Sequence, residues 1–330
     1  MKRIRLGPDG PEVSQFGIGA MSFAGIYGDA TVAESHAVLD ACRTAGVTHI
    51  DTAAVYGDGL SEDIIGQWFA ATPSARNEMV LATKAGIQRH PERRISNDPE
   101  HLEATLERSL RLLGVDHVDL FYVHRYDPSY PPEEVAGVLK GLIDRGKTRA
   151  IGFSEIAPST LRRAASECPI AAVQSEYSLS TRAPELGLIQ TCAALGTSLV
   201  AFSPVGRSFL TDAPFSPARV REMGFTRTNP RFQDPNYSAN IAATDRFREL
   251  AAEMGLSAAG LAVAWVRSRG DFVLPIPGTK STAHLSELLE GAVRDLSEEE
   301  VSRVEAILPV GWAHGDRYSD AQWVGPERYC

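Results

Sequence analysis

From Val13 to Ala292 the chain alternates short apolar, β-rich runs with segments of helical spacing. "VSQFGIGAM" precedes "TVAESHAVLDACRTAG", and "VTHIDTA" precedes "LSEDIIGQWFA". "MVLATKAG" leads to "PEHLEATLERSLRLLG", where Leu102, Leu106 and Leu110 fall on one helical face. "HVDLFYVH", "TRAIGFS", "IAAVQSEY", "TSLVAFSP" and "DFVLPIP" continue the strand series. The helices between and after them are "PPEEVAGVLKGLIDRG", "APSTLRRAASE", "APELGLIQTCAALG", "ATDRFRELAAEMG" and "STAHLSELLEGA". Such alternation implies a parallel sheet with crossover helices. About eight units in one unbroken run favour closure into an α/β (β/α)8 TIM barrel over an open doubly wound sheet. No composition break marks a linker, so residues 1–330 are read as a single barrel domain.

Three segments stand outside the alternation. Residues 3–15 are expected to form an N-terminal hairpin capping the barrel bottom. Residues 204–241 make a long insertion after strand seven, and loops of that length are usually functional. The tail from Leu308 to Cys330 carries Trp312, Tyr318 and Trp323, too aromatic for a disordered end. It is expected to fold back over the barrel mouth as a substrate loop, with the outer helices or a subunit contact as the alternative.

The composition excludes several classes of function. With 43% hydrophobic and 23% charged residues the chain can bury a large core. A net charge of −9 argues against nucleic acid as the main partner. No apolar run approaches the roughly 20 residues needed to cross a bilayer, and "MKRIRLGPDG" lacks the apolar region of a signal peptide. Cys42, Cys168, Cys192 and Cys330 are far apart, with neither metal-cage nor disulfide spacing. His36, His49, His90, His101 and His117 also lack ligand spacing, so no metal site is expected. A cytoplasmic, thiol-reduced protein is the expected setting; a homo-oligomer stays open.

A (β/α)8 barrel carries its active site at the C-terminal strand ends. There the second strand delivers Asp51 with Tyr56 beyond it, the third Lys84 and the fourth His124. The fifth delivers Ser154 and Glu155, the sixth Gln174 and the seventh Ser203. Asp51 and Lys84 alone would suit a structural ion pair. With Tyr56 and His124 they suit proton transfer to a carbonyl oxygen. A nearby ammonium would lower the phenol pKa and make it a better donor. The aspartate would keep the lysine charged, and the histidine would orient the oxygen. No side chain donates a hydride, so a nicotinamide cofactor has to supply one. "GIGAMS" has only part of a dinucleotide fingerprint and no obvious following helix, so a Rossmann reading is rejected. Its backbone at Gly19 and Met21 is still expected to line the pocket.

The ordered motifs "GVTHIDTAAVYGDGLSEDIIG", "LATKAG", "DLFYVHRYD", "IGFSE", "AVQSEYS", "AFSPVGRSFL" and "PIPGTK" resemble the aldo-keto reductase superfamily over nearly the whole chain. The "PVGRSFLTD", "PRFQ" and "GDRY" stretches are similar to its medium-length bacterial and fungal branch. The resemblance implies a catalytic tetrad of Asp51, Tyr56, Lys84 and His124, with Asp51 also bordering the cofactor. It implies NADPH across the barrel mouth, its carboxamide at Ser154, Glu155 and Gln174 and its ring against Phe202, followed by Ser203. The pyrophosphate loop maps to Pro204 through Leu210, including Gly206 and Ser208. The adenosine phosphate maps to Gly278, Thr279, Lys280 and His284. Three positions depart from the family pattern: Glu155 for asparagine, with pairing to an arginine as the alternative to cofactor contact, Phe202 for the frequent tyrosine and Leu288 for asparagine. The implied activity is NADPH-dependent reduction of aldehydes or ketones, with Tyr56 as general acid. A nicotinamide-binding regulatory subunit with slow turnover and a Schiff-base lyase using Lys84 are the alternatives.

Overall fold

The structure is a computed structural model and describes residues 1–88 and 94–329. His90 and Cys330 therefore lie outside the described residues. Arg3–Arg5 (β1) and Glu12–Ser14 (β2) pair antiparallel. The barrel strands are Gly17–Gly19 (β3), His49–Asp51 (β4) and Val80–Ala85 (β5). A small hairpin, Ile87–Gln88 (β6) with Arg94–Ile95 (β7), follows. The barrel resumes with Leu120–Val123 (β8), Ile151–Ser154 (β9), Ala172–Glu176 (β10), Ser198–Phe202 (β11) and Val273–Ile276 (β12). The eight barrel strands are parallel and neighbour one another in chain order. Gly19 N donates to Pro277 O at 2.9 Å, joining the first strand to the chain leaving the last. This is the (β/α)8 architecture expected from the alternation.

Two cores follow from the period-two geometry of strands. Alternate residues Ala82, Leu120, Tyr122, Ala172, Val200 and Leu274 point inward and fill the barrel. Ile4, Leu6 and Val13 of the hairpin close its bottom. Gly7 N bonds Ser198 Oγ there at 3.1 Å, at the start of β11. The opposite parity, including Ile18, Ile50, Leu81, Phe121, Phe153 and Leu199, packs under the helices. Tyr122 fits inside the barrel because Gly152 leaves room: a Cβ at Gly152 would lie 2.5 Å from its ring. The parity has a direct consequence. Gly19, Asp51, Lys84, Ser154, Gln174 and Phe202 share the inward set at the upper strand ends.

The structure also departs from the sequence expectation. Ala258–Arg267 is a helix buried at every position. It has no polar stripe, so its sequence shows no helical period. The helix after the insertion begins at Asn236 rather than at Ala243 and runs to Glu253. The segment 204–241 holds a helix at Pro217–Glu222 and several single 3₁₀ turns. A further helix, Glu298–Ile307, opens on a Ser297/Glu300 capping box. Cys42, Cys168 and Cys192 are free, and burial raises all three thiols above their ordinary range.

Helices Ala258–Arg267 and Thr282–Val293 meet where two glycines remove side chains. A Cβ at Gly291 would sit 2.1 Å from Gly260 O and 2.8 Å from Val263 Cβ. Gly137, in helix Pro132–Asp144, has its nearest neighbours at 3.9 Å. Gly291→Ala should therefore destabilise the fold by about 1–3 kcal/mol through overpacking. Gly137→Ala should stabilise it by about 0.5–1 kcal/mol through helix propensity. Urea unfolding of both variants checks the opposite signs.

Candidate active site

Lys84 and Asp51 are fully buried in the barrel mouth, and the Lys84 ammonium bonds Asp51 Oδ1 directly. Lys84 also donates to Thr52 O at 2.8 Å, and Gln174 Nε2 donates to Asp51 Oδ2 at 2.7 Å. The pair is thus saturated with partners on both sides, as a buried charge requires. Tyr56 stands above it, with Lys84 Nζ 5.4 Å from its ring centroid. The His124 ring meets Tyr56 edge-on at 5.7 Å. Strand register explains the grouping: Gly19 pairs with Asp51, Asp51 with Ala82, and Lys84 with Tyr122.

Burial pushes the Tyr56 phenol well above its ordinary pKa, and Asp51 pushes it further up. The cation that most opposes this is Arg125, not Lys84 as expected from the sequence. Burial also lowers the Lys84 pKa, against the pull of Asp51. Tyr56 consequently keeps its proton throughout the neutral range and has it to give.

These groups open into one large cavity of about 1020 Å³, at the upper end of ligand-pocket sizes. Asp51, Tyr56, His124, Ser154 and Gln174 line it at one end. Gly19, Met21, Phe202, Ser203, Pro204 and Ser208 line its course, and Gly278, Thr279, Lys280 and His284 its far end. Lys280 bonds Asp29 O, and Leu288 is part of the wall. Four expected residues are not on that wall, one of them Lys84, which lies behind it beside Asp51. Gly206 and Leu210 are buried behind it. Glu155 turns away: it follows Ser154, the last residue of β9, and its left-handed backbone (φ 57°) takes the side chain off the inward set.

Glu155 has a different job. Its carboxylate accepts from Ser175 Oγ at 3.1 Å, from Glu176 N at 2.8 Å and from the Arg317 guanidinium. Burial would raise its pKa, but Arg317, Arg125 and the Glu176 amide outweigh burial and hold it below the usual carboxylate range. Glu176 receives Arg207 at 2.5 Å, Arg317 at 3.4 Å and Thr181 Oγ1 at 3.0 Å. Arg231 adds its charge at 3.9 Å. Its own pKa falls to about 10 on burial, so it stays cationic at neutral pH. Two carboxylates at the ends of β9 and β10 thus gather three arginines, from the β11 loop, the insertion and the tail. Sequence reading allowed Glu155 an arginine partner without naming it, placed Arg207 only within the pyrophosphate loop, and assigned neither Arg231 nor Arg317. The signal was there in "PVGRSF", "NPRFQ" and "GDRY", arginines inside apolar or aromatic stretches that hydrophobic patterning leaves unexplained.

The network sets the tail over the mouth. Arg207 stacks between Phe225 and Tyr318, at 4.6 and 5.1 Å from their centroids. Arg317 stacks on Tyr318 and Trp323. Tyr318, Ser319, Ala321 and Gln322 line the cavity beside Phe225 and Thr228 of the insertion. The expectation that tail and insertion fold over the mouth is met for these residues. Trp312 instead anchors the tail outside it, donating to Leu179 O at 2.8 Å. Backbone geometry marks the same region. Among the described residues five non-glycine residues have positive φ, and Glu155, Ser203, Arg207 and Ser208 are four of them. Such strain collects where a site over-determines the chain.

The fold and the site together define a barrel oxidoreductase architecture with a Tyr–Lys–Asp–His mouth. The Aldo/keto reductase family model matches residues 15–309. The chain belongs to that family. It is 36% identical to an aldo-keto reductase of Schizosaccharomyces pombe named yakc [NADP(+)], over 93% of this chain and 92% of that one. It is 36% identical to a probable aldo-keto reductase 1 of Glycine max, over 96% and 91%. Among solved structures, the glycerol dehydrogenase AKR11B4 of Gluconobacter oxydans superposes with a TM-score of 0.81 at 28% identity, covering 93% of this chain and 94% of that one.

Removing Arg317 leaves Glu155 buried without its main counter-charge. Arg317→Met should cost about 3–5 kcal/mol, the range for breaking a buried pair. Adding Glu155→Gln to that variant should recover part of the loss. A urea-unfolding double-mutant cycle checks both. Truncation after Leu308 should likewise destabilise the barrel rather than leave it intact.

Proposed function

We propose that this chain reduces aldehyde or ketone carbonyls to alcohols with NADPH. The carrying observation is the placement of Tyr56 between the buried Lys84–Asp51 pair and His124, at one end of a cavity that continues to Lys280. The donor set fits the cofactor. Gln174 spends its amide N–H on Asp51 and keeps its carbonyl for an amide partner, with Ser154 beside it. Phe202 offers an aromatic face. Lys280 bonds a neutral backbone carbonyl and, among the described residues, has no carboxylate in ion-pair contact, Glu34 feeling its charge only at longer range, so that charge is available to a phosphate. NADPH, when bound, supplies the hydride.

The chain's own residues manage the rest. His124 and Tyr56 hold the carbonyl oxygen between them, and Tyr56 gives it the proton as negative charge develops. A phenol raised by burial is a weak acid in the resting site, but an alkoxide is a strong base, so the transfer runs downhill. Lys84 stays beside the phenol and stabilises the phenolate left behind; Asp51 and Thr52 O fix the ammonium in place. Tyr318 and Phe225 exclude water from the reacting end.

Two measurements test this reading. Tyr56→Phe should still bind NADPH but lose roughly 10²–10⁴-fold in carbonyl reduction, the range for a general acid. Near-normal turnover, followed by NADPH absorbance across an aldehyde panel, would refute the proton-donor role. If the unaltered protein binds NADPH and turns over no carbonyl in the panel, the regulatory reading replaces the enzymatic one. Lys280→Ala should move the NADPH:NADH affinity ratio towards parity. A preference unchanged by the substitution would remove Lys280 from the phosphate site.

A further inference from the structure

Arg125 follows His124 directly and lines the same end of the cavity. Its Nη1 donates to His124 O at 2.7 Å and to Ser154 Oγ at 3.2 Å. Its Nε is buried and has no hydrogen-bond partner. Among the described residues no carboxylate lies within ion-pair distance of it. The other cations of the cavity are spoken for. Lys84 is matched by Asp51 behind the wall, Arg207 is matched by Glu176, and Lys280 lies at the far end. The reacting end of the cavity therefore carries a positive charge with no carboxylate in ion-pair contact, acting on the buried Glu155 only at longer range, on a group with a planar fork of donors.

The fork is also fixed in place. The tail passes so close that a Cβ at Gly325 would lie 2.9–3.1 Å from Arg125 Cβ, Cγ and Cδ. With its stem clamped and one nitrogen bonded, the guanidinium has little rotamer freedom left to lose. A preorganised cation with unsatisfied donors is a site for an anionic oxygen. The rest of this end is aromatic, through Tyr27, Phe225 and Tyr318.

We infer that Arg125 is a specificity-determining residue, and that the preferred substrates are aromatic carbonyl compounds bearing a carboxylate or similar anionic oxygen. This rests on the reductase reading above and deepens it. The carbonyl sits against Tyr56 and His124, the ring lies among the aromatic side chains, and the anionic group takes the free donors of Arg125. The carbonyl receives hydride and proton, and the anionic group takes no part in the chemistry.

The test uses 2-, 3- and 4-carboxybenzaldehyde, each against its neutral methyl ester, with the full-length protein and NADPH. At least one acid should exceed its ester in kcat/KM by roughly 10–100-fold, the scale of a charge-assisted hydrogen bond. That ratio should collapse in Arg125→Gln and fall partway in Arg125→Lys, which keeps the charge without the fork. Benzoate binding to the NADP⁺ complex, measured by calorimetry, should weaken in parallel. This arm reads the anion site even if no carbonyl is turned over, so failure of the reductase reading is seen separately. The inference is overturned if no acid outperforms its ester. It is overturned if Arg125→Gln lowers acid and ester equally, which would mark a support for His124 and Ser154. It is overturned too if the substitution weakens NADPH binding and leaves the acid:ester ratio alone.

Discussion

The ion pair between Lys84 and Asp51 is the constraint around which the rest is arranged. Two full charges sit in a barrel mouth with almost no solvent contact. Such a pair is a poor source of stability, because desolvation costs several kcal/mol per ion. The barrel tolerates it by surrounding it with donors and acceptors at the right distances. Thr52 O takes a second proton of the ammonium and Gln174 caps the second carboxylate oxygen. The price is justified by what it does to the space above. A fixed dipole beneath Tyr56 holds the phenol in one place while Asp51 discourages early loss of its proton. In the mechanism proposed above the pair's value would lie in the transition state, where a phenolate would form beside an ammonium that has not had to move.

A second buried electrostatic assembly controls what covers that site. Glu155 and Glu176 stand on adjacent strands, and their charges have to be compensated from outside the barrel. Arg207, Arg231 and Arg317 arrive from segments far apart in the chain. Each brings an aromatic or backbone surface with it: Arg207 sits against Phe225 and Tyr318, and Asn229 and Arg207 both donate to Arg317 O. Glu327 continues the attachment by accepting from Ala157 N and Thr160 Oγ1, while its own N–H donates to Glu155 O. The cover is therefore specified by charge matching more than by apolar burial. This suits a surface that has to meet a ligand on its inner side.

The barrel was legible because its signals are local. Apolar runs of strand length and leucines at helical spacing survive as patterns whatever surrounds them. So do the inward-facing polar groups of the candidate site, since parity along a strand carries Asp51, Lys84 and Ser154 to one side. Three kinds of feature were not legible, each for a physical reason. The helix Ala258–Arg267 is buried all round, so no polar face betrays its period. The turn of Glu155 away from the cavity depends on a positive φ that nothing in its side chain announces. The partnership of Glu155 with Arg317 spans 162 positions and is fixed by the tail's path, which follows from tertiary packing alone. The same holds for Arg207, whose mapped neighbours suggested a phosphate loop but whose side chain is committed to Glu176.

These commitments leave an uneven charge balance. Glu155 and Glu176 are answered by arginines that are themselves buried, and Asp51 is answered by Lys84. Arg125 alone faces the reacting end without an acidic partner among the described residues, held by two neutral oxygens. Its field lowers the Tyr56 pKa against burial and Asp51, so it favours the charge state that proton donation creates. An anionic substrate would neutralise that field and weaken this help while gaining affinity from it. A neutral substrate would leave the field intact and gain less binding. The structure therefore sets affinity against acidity at a single residue. The two effects separate kinetically, because lost substrate binding raises KM whereas lost stabilisation of the developing phenolate lowers kcat.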